Sequence, residues 1–230
     1  MTLRLRDRIE GDLVIEVAFT DATLDVGDHA KPDVRRSALA AVADETGAVP
    51  VLMRQVHGAD VVLVDDPRTS SPESCDALIT AQQGVALLAR AADCVPVLLA
   101  DPRTGWVAAV HSGRPGLAAG VVPAAVAAMR ARGGDPTVAW LGPHVCGACY
   151  EVPVALRDEV AALVPDSRSE TSWGTPALDL AAGVRAQLAG AGVTDVRDVG
   201  VCTREDPDWP SYRRDGDEAT RFAGVVWSHR

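Results

Sequence analysis

The chain has 230 residues, 47% hydrophobic but only 4% aromatic, which suits a globular protein with an aliphatic core and a single domain spanning 1–230. Lys and Arg number 22 against 32 Asp and Glu, a net charge of −10, so phosphate backbones and anionic membrane surfaces are repelled and nucleic acid is not an expected partner. The longest aliphatic stretches, Gly84 to Ala100 with Arg90 and Asp93 inside it and Leu117 to Met129 rich only in Ala and Val, do not read as membrane spans. Charged Met1 to Glu10 has no apolar block behind it, so a cytoplasmic protein is expected.

In chain order, alternation near Leu13 to Phe19 predicts a strand. Pro32 to Thr46 then reads as a helix with Pro at its start and Gly47 as its stop. Val51 to His57 and Val61 to Val64 read as strands joined by Gly58-Ala59-Asp60. The short apolar runs Ala77 to Thr80, Val85 to Ala89, Val97 to Ala100 and Trp106 to His111, bounded by Gly, Pro and Asp, read the same way. Leu117 to Arg132 is predicted helical, closed by Gly133-Gly134, with Pro123 marking a kink or a late start. A strand at Val138 to Leu141 precedes helices at Val154 to Leu163 and, with Asp179 near its cap, Leu180 to Leu188. Strands near Val196 to Cys202 and Phe222 to Trp227 complete the chain. Hairpins mixed with helices predict a mixed α/β (α+β) sandwich of sheet and helices, and there is no glycine fingerprint of a dinucleotide or P-loop fold.

Three soft or borderline metal ligands each end or follow a predicted strand beside a turn: His57, Cys94 and His111. Two imidazoles and a thiolate around Zn²⁺ keep a fourth tetrahedral position open, the arrangement of a catalytic rather than a structural site. Asp101-Pro102-Arg103-Thr104-Gly105 carries turn residues in hairpin order, which folds Val97 to Ala100 onto Trp106 to Val110. If paired residue numbers sum to 205, Cys94 lies opposite His111 at roughly 5 Å. If they sum to 207, the two lie diagonally on the same face. A sum of 206 separates them, so an odd register is expected.

Other constellations compete. Cys146-Gly147-Ala148-Cys149 is a lone C-x-x-C motif, readable as half a zinc site or a redox pair but more simply as two buried or loop thiols. Ser112-Gly113-Arg114-Pro115-Gly116 links a strand to a helix, and its backbone N–H groups with Arg114 could cradle phosphate or form an ordinary turn. Ser211 to Gly216 places Tyr212, Arg213 and Arg214 where an anionic or planar ligand could be recognised. His29 and His229 read as solvated, and His144 as a pocket-wall residue.

Six blocks occur together in a familiar order: Gln55 to Asp60, Asp76 to Thr80, Ala92 to Pro96, Val110 to Gly113, Gly142 through Val152, and Ser211 to Gly216. In these blocks the chain resembles the YfiH-type laccase-domain family, once called multicopper polyphenol oxidases and now described as purine nucleoside phosphorylases. The resemblance implies a fold of the cysteine-hydrolase-like type and zinc on His57, Cys94 and His111. It also implies phosphorolysis of adenosine, guanosine or inosine, with adenosine deamination and methylthioadenosine cleavage as companion activities. Purine nucleoside and phosphate are then the partners, with Gln55, Ser112, Gly113, Arg114, Tyr212 and Arg213 near them. The chain departs from the family pattern in a shortened loop, Asp21 to Gly27, and in an arginine displaced by one position, Arg114 before Pro115. Rival readings are a metal-independent Cys/His hydrolase or amidase with Cys94 as nucleophile and His111 as base, a non-catalytic binding relative, and a copper phenol oxidase. The last is the weakest, since one His/Cys/His set without a Met partner does not build a copper array.

Overall fold

The computed structural model describes residues 3–66 and 74–230. Charged Arg4–Ile9 forms β1 and alternating Val14–Phe19 forms β2; helix α1 (Pro32–Thr46) then leads to β3 (Val49–Leu52), β4 (Val61–Leu63) and β5 (Ala77–Thr80). Strands β6 (Val85–Ala91), β7 (Val95–Ala100) and β8 (Val107–Ser112) are followed by α2 (Arg114–Ala119), α3 (Val121–Arg130), β9 (Val138–Leu141) and α4 (Val154–Leu163). The chain closes with β10 (Arg168–Glu170), β11 (Pro176–Leu178), α5 (Leu180–Gly190), β12 (Asp195–Asp198), α6 (Tyr212–Asp215) and β13 (Phe222–His229).

Among the described residues the strands form a sheet in the order β1-β2-β13-β6-β3, a second in the order β12-β9-β7-β8-β5-β4, and a small β10-β11 ribbon. Strand periodicity explains how the sheets stack. On β6, Val85, Leu87 and Ala89 enter the core between the sheets while Ala86 and Leu88 face α1; on β7, Leu98 and Ala100 point between the sheets while Val97 and Leu99 meet α3 and α5. The molecule is therefore a mixed α/β sandwich, as hairpins interspersed with helices predict, and it has four layers: helix on sheet on sheet on helices. Strands buried on both faces read as unbroken apolar runs, which is why β6, β7 and β8 stand out in the sequence.

Three predicted boundaries shift and one strand appears that no pattern predicts, each for a physical reason. The anticipated helix from Leu117 to Arg132 is two helices, broken at Gly120 in the left-handed region (φ 79°); Pro123 sits in the first turn of α3, where a missing N–H costs nothing. The strand expected over Val51 to His57 ends at Leu52, and the chain leaves the sheet so that His57 lies on a loop. The strand expected near Val196 to Cys202 is the shorter β12, with Cys202 in the loop beyond it. Strand β1 was not anticipated because its residues are charged; it is an edge strand whose side chains mostly face water.

The β7–β8 hairpin forms as expected, with Asp101 accepting the backbone N–H of Arg103 at 3.0 Å and Gly105 at φ 78°. Its register pairs Ala100 with Val107 and Pro96 with His111. The paired numbers sum to 207, so Cys94, one residue before β7, is diagonal to His111 on the same face rather than directly opposite.

Candidate metal centre

His57, Cys94 and His111 arrive from three separate places: the loop after β3, the turn before β7 and the penultimate position of β8. Their donor atoms all lie within 4.8 Å of one another. His57 Nε2 stands 3.8 Å from Cys94 Sγ, and the two imidazole rings meet edge to face with centroids 4.8 Å apart.

Asp76, fully buried, organises both histidines. Its Oδ1 accepts the His57 N–H at 2.9 Å and faces His111 Nδ1 at 2.8 Å, while Oδ2 accepts the N–H groups of Val56 and Gly58 at 3.1 and 2.7 Å. A carboxylate acceptor on Nδ1 fixes the proton there and leaves the lone pair on His111 Nε2 for a metal, the outer-sphere arrangement that metal-bound histidines need. The same carboxylate holds His57 at φ 61°, a left-handed conformation that a non-glycine residue keeps only when its surroundings impose it.

Electrostatics divides the charge across the site. Burial disfavours a charged Cys94, but the two imidazoles, His111 foremost, outweigh it and bring the thiol down to about 6. Burial likewise disfavours a charged His111, and the facing thiolate and Asp76 outweigh it, lifting the imidazole to about 9. Burial would also raise Asp76, yet its bonds from His111 and the backbone keep it below the usual carboxylate range. Without metal the pair is an imidazolium beside a thiolate.

The residues present fit a metal ion. A Cβ at Gly113 would stand 2.6 Å from His57 Cδ2 and 3.0 Å from Cys94 Sγ, so glycine is required to let the ligands close around a common point. The set of two imidazoles and one thiolate suits zinc.

The site forms one wall of a cavity of about 700 Å³, a size suited to a small-molecule ligand. Gln55, His57, Cys94, His111, Tyr212 and Arg213 line it, whereas Ser112, Gly113 and Arg114 do not. Gln55 is clamped to the backbone of Arg90, its Oε1 accepting the N–H and its Nε2 donating to the carbonyl, both at 2.9 Å, so it anchors the His57 loop. Ser112 is fully buried, and Arg114 begins the short helix α2. His29 is exposed, as expected, and borders the cavity; His144, expected in its wall, instead turns Nδ1 to the Gly142 carbonyl and is buried.

Three further groups escaped the sequence reading. Asp93, at φ 88°, accepts from Thr203 Oγ1 and Ser211 Oγ at 2.7 Å and from the Arg213 N–H at 2.6 Å, tying the residue before Cys94 to the start of α6. Arg90, 4% exposed, donates to the Met53 carbonyl at 2.8 Å and pairs with Asp28. Arg221 joins Arg213 in the cavity wall; Arg213 lies over the Tyr150 ring at 4.3 Å and Arg221 over Tyr212 at 5.9 Å. The available signal was a charge inside an apolar run, as in Cys75-Asp76-Ala77-Leu78 and Leu88-Ala89-Arg90-Ala91: such charges are seldom buried without a partner.

Fold and site together define a two-sheet α/β protein with a His/Cys/His donor set at the base of a ligand-sized cavity. The sequence matches the family described as multi-copper polyphenol oxidoreductase laccase over residues 8–229, and the chain belongs to it. A Streptomyces coelicolor relative named purine nucleoside phosphorylase is 58% identical over 180 residues, covering 77% of this chain and 74% of its own. A Mycobacterium tuberculosis protein of the same name is 45% identical over 212 residues, covering 89% and 84%. Among solved structures, a Neisseria meningitidis protein of family DUF152 superposes with TM-score 0.87 at 28% identity over 99% of both chains. YfiH of Bacillus licheniformis, 22% identical over 98% of both chains with TM-score 0.83, shares the fold. Among the described residues, no helix is long and apolar enough to cross a membrane.

Proposed function

We propose that the chain is a zinc-dependent purine nucleoside phosphorylase, taking adenosine, guanosine or inosine and phosphate to the free base and ribose 1-phosphate. Adenosine deamination and methylthioadenosine cleavage are its companion activities. The observation that carries this reading is the convergence of His57, Cys94 and His111 on the wall of a nucleoside-sized cavity. The name borne by its relatives supports it.

Zinc, when bound, supplies a fixed positive charge and Lewis acidity. Asp76 sets the His111 tautomer, and Cys94 contributes a thiolate that is already ionised at neutral pH. Tyr150 and Tyr212 offer ring faces on which a planar base can stack. Of the three arginines in the cavity wall, Arg90 is tied to the Met53 carbonyl and Asp28, and we assign phosphate to Arg213 and Arg221 in place of Arg114, which lies outside the lining. Their fixed charge holds the phosphate anion beside the sugar, which turns cationic as the bonding pair departs with the base, so that phosphate can close the new bond at that carbon. Asp93 holds the Arg213 backbone, so its buried carboxylate is a positioning group for that arginine.

The test is an assay with inosine and phosphate for hypoxanthine and ribose 1-phosphate, on native protein, on chelator-treated protein and on Cys94→Ala. Turnover lost with the metal and restored by zinc is expected. A second reading rests on one geometric fact: Asp76, His111 and Cys94 stand in the order orienter, base and nucleophile. Hypoxanthine released by metal-free protein with phosphate omitted, and so without ribose 1-phosphate, supports a Cys/His hydrolase instead.

A further inference from the structure

Far from the His57 site in sequence, three of the remaining cysteines gather with a carboxylate. The donor atoms of Cys146, Cys149, Cys202 and Glu205 all lie within 4.8 Å of one another. A zinc ion bound at ~2.3 Å from sulfur holds tetrahedral ligands about 3.8 Å apart, so a small contraction completes the geometry.

The backbone around these residues repeats. In Cys146-Gly147-Ala148-Cys149, the N–H groups of Cys149 and Tyr150 donate to the Cys146 carbonyl at 2.9 and 3.0 Å. In Cys202-Thr203-Arg204-Glu205, the N–H groups of Glu205 and Asp206 donate to the Cys202 carbonyl at 3.2 and 3.0 Å. Two turns of the same construction therefore face each other, each offering side chains at its first and fourth positions. They are stitched together by His144 and Cys202 in a parallel bridge, with the His144 N–H donating to Val201 at 3.1 Å and the Thr203 N–H donating to His144 at 3.0 Å. The Cys146 N–H points at Cys202 Sγ at 3.4 Å, a further tie between the two turns. The Cys149 thiol donates to a Glu205 oxygen at 3.4 Å, the proton a metal would displace.

We propose that Cys146, Cys149, Cys202 and Glu205 form a second, closed metal site that takes zinc as a structural ion. Three thiolates and one carboxylate fill a tetrahedron and leave no open corner, so this ion braces rather than catalyses. Arg204, beside Cys149 and packed 4.8 Å over Trp173, counters part of the site's negative charge. Glu205 is exposed, which gives the ion an entry path.

The place of the site in the fold says what it braces. Tyr150, next to Cys149, lines the main cavity and carries Arg213 on its ring; Thr203, next to Cys202, bonds Asp93 beside Cys94. The second ion would fix the two turns from which that wall of the cavity hangs.

Metal counting on the whole chain tests this. Chelator-treated protein is dialysed against zinc under reducing conditions and analysed for bound metal. Expected are two zinc ions per chain in the wild type, one in Cys94→Ala, one in Cys202→Ser and none in the double variant. Cobalt loaded into Cys94→Ala should give the intense near-ultraviolet charge-transfer band of several thiolates. Glu205→Gln, at a solvent-facing position, guards against misfolding: it should keep three sulfur ligands and lower affinity for the second zinc by about tenfold or more. A Cys94→Ala protein holding no zinc, a Cys202→Ser protein holding as much zinc as wild type, or recovery of Cys146 in a disulfide from protein prepared with reductant would overturn the proposal.

Discussion

Replacing Asp76 with Asn keeps the side chain's shape and removes its charge and one acceptor. Four donors converge on this carboxylate: the N–H groups of Val56, His57 and Gly58, and Nδ1 of His111. An amide has one oxygen, so in either orientation two of the four meet an NH₂ group instead of an acceptor. Two lost bonds to a charged group, at ~1.5–3 kcal/mol each, make a loss of about 3–6 kcal/mol, a large part of the roughly 5–15 kcal/mol that holds a domain together. One orientation does more. With the amide nitrogen toward His111, Nδ1 must become the acceptor and the proton moves to Nε2, leaving no lone pair for metal. Zinc affinity should fall by at least the ~10–100-fold typical of losing an outer-sphere partner. Competition against a chromophoric chelator measures that affinity, and a denaturant midpoint measures stability on the same sample. An Asn variant that is destabilised yet binds zinc as tightly as wild type would refute the argument that Asp76 sets the His111 tautomer.

Other perturbations separate packing from chemistry. Gly113→Ala places a methyl against His57 and Cys94 without backbone strain, since φ is −81°, so metal content should drop while overpacking costs only about 1–3 kcal/mol in thermal stability. Zinc binding to the His57 site should strengthen as pH rises. Below pH 6 both Cys94 and His111 give up a proton to the solvent on binding; between about 6 and 9 only His111 does; above that neither does. Calorimetry in buffers of different ionisation enthalpy should therefore count about one proton released per zinc at this site near pH 7.5, best measured in Cys202→Ser protein. Arg90→Met leaves the Met53 and Val26 carbonyls without their donor, at about 2–4 kcal/mol in a denaturant midpoint; the Asp28 partner adds little because it is 55% exposed. The same change frees the Asp25 to Ala30 rim, so KM should rise more than kcat falls.

Legibility in the sequence followed locality. Apolar runs bounded by turn residues located β5, β6, β7, β8 and β9, and Asp101 with Gly105 announced the hairpin that brings Cys94 and His111 to one face. What sequence reading lacked was any long-range partner. His57 could not be placed, because its loop is held by Asp76, a carboxylate nineteen positions on whose four bonds no periodicity signals. Strand β1 was hidden by its charges, which an edge strand carries without cost. The C-x-x-C motif was read as a pair of thiols because its complement, Cys202-x-x-Glu205, stands 56 residues downstream and spends one of its two ligands on a carboxylate.

The two chemistries available to Cys94 predict opposite outcomes in one labelling experiment. A thiol near pKa 6 is about 90% thiolate at pH 7. Burial pushes Cys75 and Cys146 up to about 12, where almost no thiolate exists. In metal-free protein iodoacetamide should therefore modify Cys94 first, at the wall of an open cavity, and peptide mapping would identify it. Saturating zinc should protect it, because a sulfur whose lone pair is bound to metal is no longer the nucleophile. A hydrolase that used Cys94 against its substrate would keep the thiolate free: zinc would leave the alkylation rate unchanged, and alkylation would abolish turnover whether or not metal was present. Protection by zinc, with turnover appearing only in the protected form, is the result that the His57, Cys94 and His111 geometry requires.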